Sequence, residues 1–179
     1  YVDRLTRKFE YCGQAWYQRE VIIPEEWKDK EITLNLERCH WETTVYVDGK
    51  EIGAKEHLSV PNRFLLSKQM TPGMHILTIC VDNRLKYPMD QWNHGTTEYT
   101  QTNWNGAVGD LSLEAFPQSY ISDLRVDTDI QKRTVKSILN IFSKEKKDGV
   151  LKITVTDKNG KNVSSATYNV SLSEGENKL

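Results

Sequence analysis

Ile32, Leu34 and Leu36 alternate with Glu31, Thr33 and Asn35, and a period of two commits a segment to an extended strand with one buried and one wet face. The signature recurs along the chain. Leu111, Leu113 and Ala115 alternate again, residues 75–81 form a more continuous apolar run behind Pro72-Gly73, and Val45 and Val47 lead into Asp48-Gly49 before Glu51-Ile52 resumes. Asp tolerates and Gly readily supplies the positive φ of a tight primed turn, so residues 45–52 read as a β-hairpin. No convincing amphipathic helix intervenes; Glu25-Glu26-Trp27-Lys28 after Pro24 is at most one helical turn. Short strands at turn-punctuated intervals predict an all-β, antiparallel sandwich.

A boundary is expected near Pro117, because the sequence before it is rich in Trp and the sequence after it has none. Two domains follow, 1–117 and 118–179. In the second, residues 121–126, 135–142, 151–155 and 168–172 supply about four strands, and Asp157-Lys158-Asn159-Gly160 closes a hairpin. An immunoglobulin-like sandwich takes about seven strands and about 100 residues, so 118–179 reads as part of one. Tyr1 and Leu179 accordingly read as cuts in a longer polypeptide.

With 24 Lys and Arg against 25 Asp and Glu, the net charge is -1, which offers no basic excess for a nucleic-acid partner. No apolar stretch approaches the roughly 20 residues that span a bilayer, and no charged-then-apolar leader opens the chain; no membrane partner is expected. Cys12, Cys39 and Cys80 are an odd set without a C-x-x-C pair, and read first as buried free thiols, a disulfide remaining open only if Cα atoms come within about 7 Å. No His/Cys cluster has zinc-ligand spacing, and Asp127 and Asp129 lack the Gly-containing loop of a calcium site. No metal and no cofactor are expected.

Several spaced motifs together carry a family resemblance. Gly13, Trp16-Tyr17-Gln18-Arg19 and Ile23-Pro24-Glu25-Glu26-Trp27 precede Thr44-Val45-Tyr46-Val47-Asp48-Gly49-Lys50-Glu51-Ile52-Gly53. Then come Pro61, Phe64, Leu66-Ser67, Pro72-Gly73, Leu77 and Val81-Asp82-Asn83, and finally Trp104-Asn105-Gly106-Ala107-Val108-Gly109-Asp110-Leu111-Ser112-Leu113. In this order they resemble the N-terminal sugar-binding domain of glycoside hydrolase family 2, the family of β-galactosidases, β-glucuronidases and β-mannosidases. The resemblance implies a galactose-binding-like jelly-roll sandwich followed by a truncated immunoglobulin-like β-sandwich. One departure is Gly109, where the family commonly has Arg.

The resemblance also implies what this chain lacks. Retaining enzymes of the kind use two carboxylates about 5 to 5.5 Å apart, which in the family are Glu residues of a (β/α)₈ barrel beyond this stretch. Glu25-Glu26 and Glu174/Glu176 are paired only in sequence, in what read as solvated turns, so no catalytic residue is assigned. The implied partners are the catalytic barrel of the same chain and, through it, a β-glycoside; a homo-oligomer is left open. Family habit points to a periplasmic or secreted setting.

The chain's own sugar-contacting chemistry is expected in residues 82–105, a polar segment holding Tyr87, Trp92, His94, Glu98, Tyr99, Gln101, Asn103 and Trp104. Aromatic faces stack on sugar C–H surfaces while amides and carboxylates bond hydroxyls, and loops of this length are usually functional or disordered. The site residues are taken to be Asn103, Trp104, Trp92, His94 and Asn105. In some family members an Asp stands two before the Trp; here that position is Thr102, and Asn103 is taken in its place. The plainer alternatives are a Trp104 used for packing, an Asn105-Gly106 that only turns the chain and a His94 that is simply exposed. Three roles are therefore weighed: accessory front of a family 2 hydrolase, which the motif order favours; stand-alone carbohydrate-binding module; and structural β-sandwich pair.

Overall fold

The structure, a computed structural model, describes residues 11–87, 92–93 and 105–179. Its described strands are β1 (Gln14–Ile23), β2 (Glu31–His40), β3 (Glu42–Val47), β4 (Lys50–Glu56), β5 (Asn62–Leu65), β6 (Gly73–Asp82) and β7 (Gly106–Phe116), then β8 (Ser119–Asp129), β9 (Thr134–Ser143), β10 (Lys147–Thr156), β11 (Asn162–Leu172) and β12 (Gly175–Lys178). The sheets are antiparallel, as the alternation predicts. The segment after Pro24 makes one 3₁₀ turn, Glu25–Trp27. The chain divides into two compact units between Ala115 and Phe116.

The first unit is a sandwich of two sheets, ordered β1-β6-β3-β4 and β5-β2-β7. Ile32, Leu34 and Leu36 point inward from β2 and meet Val45, Val47, Leu77, Ile79 and Val81 from the other sheet, with Leu66 and Met70 plugging the space after β5. Each of these is 5% exposed or less, and full burial of such a side chain contributes roughly 1.5–3 kcal/mol. The β3–β4 turn is the two-residue hairpin expected of Asp48-Gly49, with φ of 51° and 78°, the left-handed pair of a type I′ turn. Trp41, just ahead of β3, is buried, and so is its neighbour His40.

The second unit stacks a three-stranded sheet, β12-β9-β8, and a two-stranded one, β10-β11. It has five strands where the sequence suggests about four. The additional strand, β12, pairs antiparallel with the edge of β9; Glu176, expected in a solvated turn, lies in it and accepts a bond from Ser122 Oγ at 3.0 Å. The core is small: Leu139, Ile141 and Leu172 are buried, with Leu151, Ile153 and Val170 partly so. Between the two sheets lies an open groove of about 830 Å³ lined by Val135, Leu139, Leu151, Ile153, Val155 and Val170, among others.

Candidate functional site

β6 ends at Asp82 and β7 begins at Gly106, so the polar segment singled out in the sequence leaves and rejoins the first sandwich there. The departure is built on a row of three carboxylates. Register places Glu42 of β3 opposite Glu56 of β4 on one side and opposite Asp82 of β6 on the other, so three like charges line up across adjacent strands. Directly opposed like charges destabilise a sheet unless something compensates them.

The compensation comes from the residues that follow. Arg84 Nε lies 3.0 Å from both Asp82 carboxylate oxygens, and the Arg84 backbone N–H donates to Oδ1 at 3.0 Å. Lys86 Nζ bonds Glu42 Oε2, and the Tyr87 hydroxyl donates to Glu56 Oε2 at 2.8 Å. Trp41 donates its indole N–H to the Arg84 carbonyl at 3.1 Å and meets the Tyr87 ring edge-on at 6.1 Å. Asp82 is only 2% exposed; the bond from Arg84 holds its carboxyl below the usual range despite burial. The bond to Glu42 raises the Lys86 ammonium, and the bond to Glu56 raises the Tyr87 phenol.

Asn83 ties the same segment to the start of the sandwich. Its Nδ2 donates to the Tyr11 carbonyl and its Oδ1 accepts the Gly13 N–H, each at 2.7 Å. Beside it lies an open notch of about 200 Å³, lined by Tyr11, Gly13, Ala15, Tyr17, Val81, Asn83, Asn105 and Gly106. The departing and returning ends of the segment thus share one small depression.

Of the expected site residues, Asn103, Trp104 and His94 lie outside the described residues. Trp92 is 65% exposed. Asn105 is half-buried in the notch, and its Oδ1 accepts the N–H of Gly106 at 2.9 Å, with Gly106 at φ 74°; this is the turn chemistry weighed as its plainer role. The structure adds Asn83 and the carboxylate row. Only Asp82-Asn83 carried a sequence signal, as part of a motif, because Glu42, Glu56 and Asp82 meet through register between strands far apart in the chain. All three cysteines are free; Cys39 and Cys80 are buried as expected, whereas Cys12 is exposed because it lies ahead of β1 and outside the sandwich core. Among the described residues no group of three or more His, Cys, Asp and Glu is placed to hold a metal ion.

Residues 5–117 match the sequence profile described as "Glycosyl hydrolases family 2, sugar binding domain". The chain belongs to this family. Among curated relatives, the β-glucuronidase of Sus scrofa is 24% identical over 180 residues, covering 88% of this chain and 28% of that protein. The human β-glucuronidase is 25% identical over 145 residues, covering 68% and 22%. This family 2 chain therefore spans about a quarter of the length of the relatives it matches. Among solved structures, a calcium-binding mutant of Bacteroides uniformis β-glucuronidase 2 superposes with a TM-score of 0.78 at 21% identity, over 98% of this chain and 22% of that one. A putative β-galactosidase from Bacteroides fragilis gives 0.78 at 16% identity, over 94% and 27%. At these identities the structural likeness shows the fold alone, and the fold is that of family 2 N-terminal β domains.

The departure from the family at Gly109 has a local cause. Gly109 sits at φ 84°, and a Cβ there would come within 2.2 Å of Glu37 Oε2, which also accepts the Asp110 N–H at 2.8 Å. An Arg there would have to adopt the left-handed φ that L side chains rarely take and displace the Glu37 carboxylate, a flexible side-chain end that can swing aside.

Proposed function

We propose that this chain is the non-catalytic front of a retaining glycoside hydrolase, supporting a catalytic barrel carried elsewhere in the same polypeptide. Its segment 88–104 contributes to the sugar site. The observation that carries the reading is the family match over residues 5–117. The sequence relatives, named as β-glucuronidases, favour a β-glucuronide as the glycoside cleaved. Asn103 is assigned as hydrogen-bond partner of a sugar hydroxyl and Trp104 and Trp92 as stacking platforms, with His94 and Asn105 at the margin.

A surface fit for the missing neighbour supports the reading. Trp16 and Ile22 of β1 and Met74 and Ile76 of β6 share the outer face of their sheet, being two, four or six residues apart and register-matched. They are 57%, 78%, 67% and 40% exposed. Aromatic residues and Met are enriched where proteins meet, and an accessory domain needs such a face.

The test is Asn103→Ala in the full-length polypeptide, assayed with chromogenic β-glucuronide and β-galactoside. Loss of an amide contact in a dry site is expected to lower kcat/KM by the equivalent of about 1–3 kcal/mol on the better substrate. An unchanged kcat/KM would sink the contact. The exposure of Trp92 favours one alternative, a module that binds oligosaccharide unaided; saturable quenching of tryptophan fluorescence by oligosaccharide, in the absence of any hydrolysis by the full-length polypeptide, would establish it.

A further inference from the structure

We propose that the first sandwich holds one internal water molecule between its two sheets, bound by the Thr43 hydroxyl and the Asn62 carboxamide with the Cys39 thiol beside them. The site lies wholly within the first unit and does not depend on how the polypeptide acts on a glycoside.

Three side chains with polar atoms stand in an interior otherwise filled by apolar ones. Cys39 of β2, Thr43 of β3 and Asn62 of β5 are each 0% exposed, and they come from both sheets, since β3 belongs to β1-β6-β3-β4 and the other two strands to β5-β2-β7. They converge on one point. The Thr43 hydroxyl and the Asn62 amide both lie close enough to the Cys39 sulfur to favour its charged form, although burial still pushes the thiol up. Yet among the described residues no group is aligned to bond Thr43 Oγ1, Asn62 Oδ1 or Asn62 Nδ2. A thiol is a weak partner, and its proximity does not satisfy an amide that carries two donors and an acceptor. Buried hydroxyls and amides are costly to leave unbonded, and native proteins meet that need with ordered water making about three bonds. Side-chain size supplies the room. Next along the strands, Ile79 from one sheet and Leu34 and Phe64 from the other fill the gap of about 10 Å between packed sheets; Cys39, Thr43 and Asn62 are shorter and leave space for a water where they meet. One water, with two donors and two acceptor sites, serves hydroxyl and amide at once and ties β3 to β5 across the interior.

A crystal structure of the full-length polypeptide that orders internal waters should show one within about 3.2 Å of Thr43 Oγ1 and of Asn62 Oδ1 or Nδ2. A direct bond between Asn62 and Thr43 with no water overturns the proposal. Thr43→Val, which keeps the shape of the side chain and removes its hydroxyl, adds a test by sign. If a water bonds that hydroxyl, the substitution strands the water and the amide, and hydrogen exchange across residues 31–47, read by mass spectrometry on the full-length polypeptide, should quicken about 10-fold. If the hydroxyl is merely unbonded, its removal is favourable and exchange should slow; slowed or unchanged exchange overturns the site. Combining Thr43→Val with Asn62→Leu removes both groups that need the water, so the double variant should exchange more slowly than the sum of the single effects requires. Effects that simply add count against the shared water.

Discussion

His75 is held by acceptors at both ring nitrogens. Nδ1 lies 2.6 Å from Asp48 Oδ2 and Nε2 lies 2.7 Å from the Thr71 carbonyl, while the other Asp48 oxygen takes the Ile76 N–H at 2.8 Å. A neutral imidazole has one N–H, so only the imidazolium satisfies both contacts. Burial of the ring opposes its charge, but the bonds to Asp48 and Thr71 overcome that and raise His75 above its ordinary value; the same bond from His75, with that of Ile76, holds Asp48 below the carboxylate range. A raised folded-state value means that the histidine's contribution to stability is complete below about pH 6.5 and is lost as pH rises through the raised value. A depressed one means that the aspartate's contribution is present above about pH 4 and is lost as pH falls through the lowered value. The difference in Tm between wild type and His75→Gln should therefore be largest between these limits and shrink toward pH 9; a difference flat in pH would refute the doubly bonded imidazolium. The sequence showed Asp48 as a turn residue and His75 as the opening of an apolar run, and gave no hint that the two meet, because their contact depends on how β3 and β6 are registered.

At the scale of strands and turns, the period-two alternation of β2 and the Asp48-Gly49 hairpin were legible because each is a local rule. β1 was harder to read: Trp16-Tyr17-Gln18-Arg19-Glu20-Val21-Ile22-Ile23 does not alternate, since several of its large side chains lie exposed on the outer face. Gly109 was legible only as a departure from the family, and its conformation supplies the reason. Gly109→Ala should cost about 1–2 kcal/mol in urea unfolding, through the left-handed φ, since the Glu37 carboxylate beside it can swing aside. Gly149→Ala is the control within a strand. Its φ is ordinary and the atom nearest to an added Cβ is Val170 Cγ2 at 3.9 Å, so it should be neutral or slightly stabilising. Equal losses at the two glycines would remove conformation as the explanation.

Across the whole molecule the two units are unequally built. Among the described residues the first unites thirteen buried residues in one core, whereas the second unites three. Hydrophobic burial dominates folding free energy, so the second unit should unfold at lower denaturant. All five tryptophans precede Phe116, which makes their fluorescence a report on the first unit alone. Far-UV circular dichroism should accordingly show an early transition that tryptophan fluorescence misses; coincident curves would mean one cooperative unit. The composition shifts near Pro117, but residue types alone could not disclose how thin the second core is, since apolar residues on β10 and β11 face an open groove of about 830 Å³. That groove bears on a common laboratory diagnosis. Enhanced fluorescence of an anilinonaphthalene dye is ordinarily taken as a sign of a molten state. This chain should brighten the dye while fully native, with sharp side-chain signals, and Leu151→Lys within the groove should abolish the effect. For this protein, dye brightness is a property of the folded state and no measure of damage.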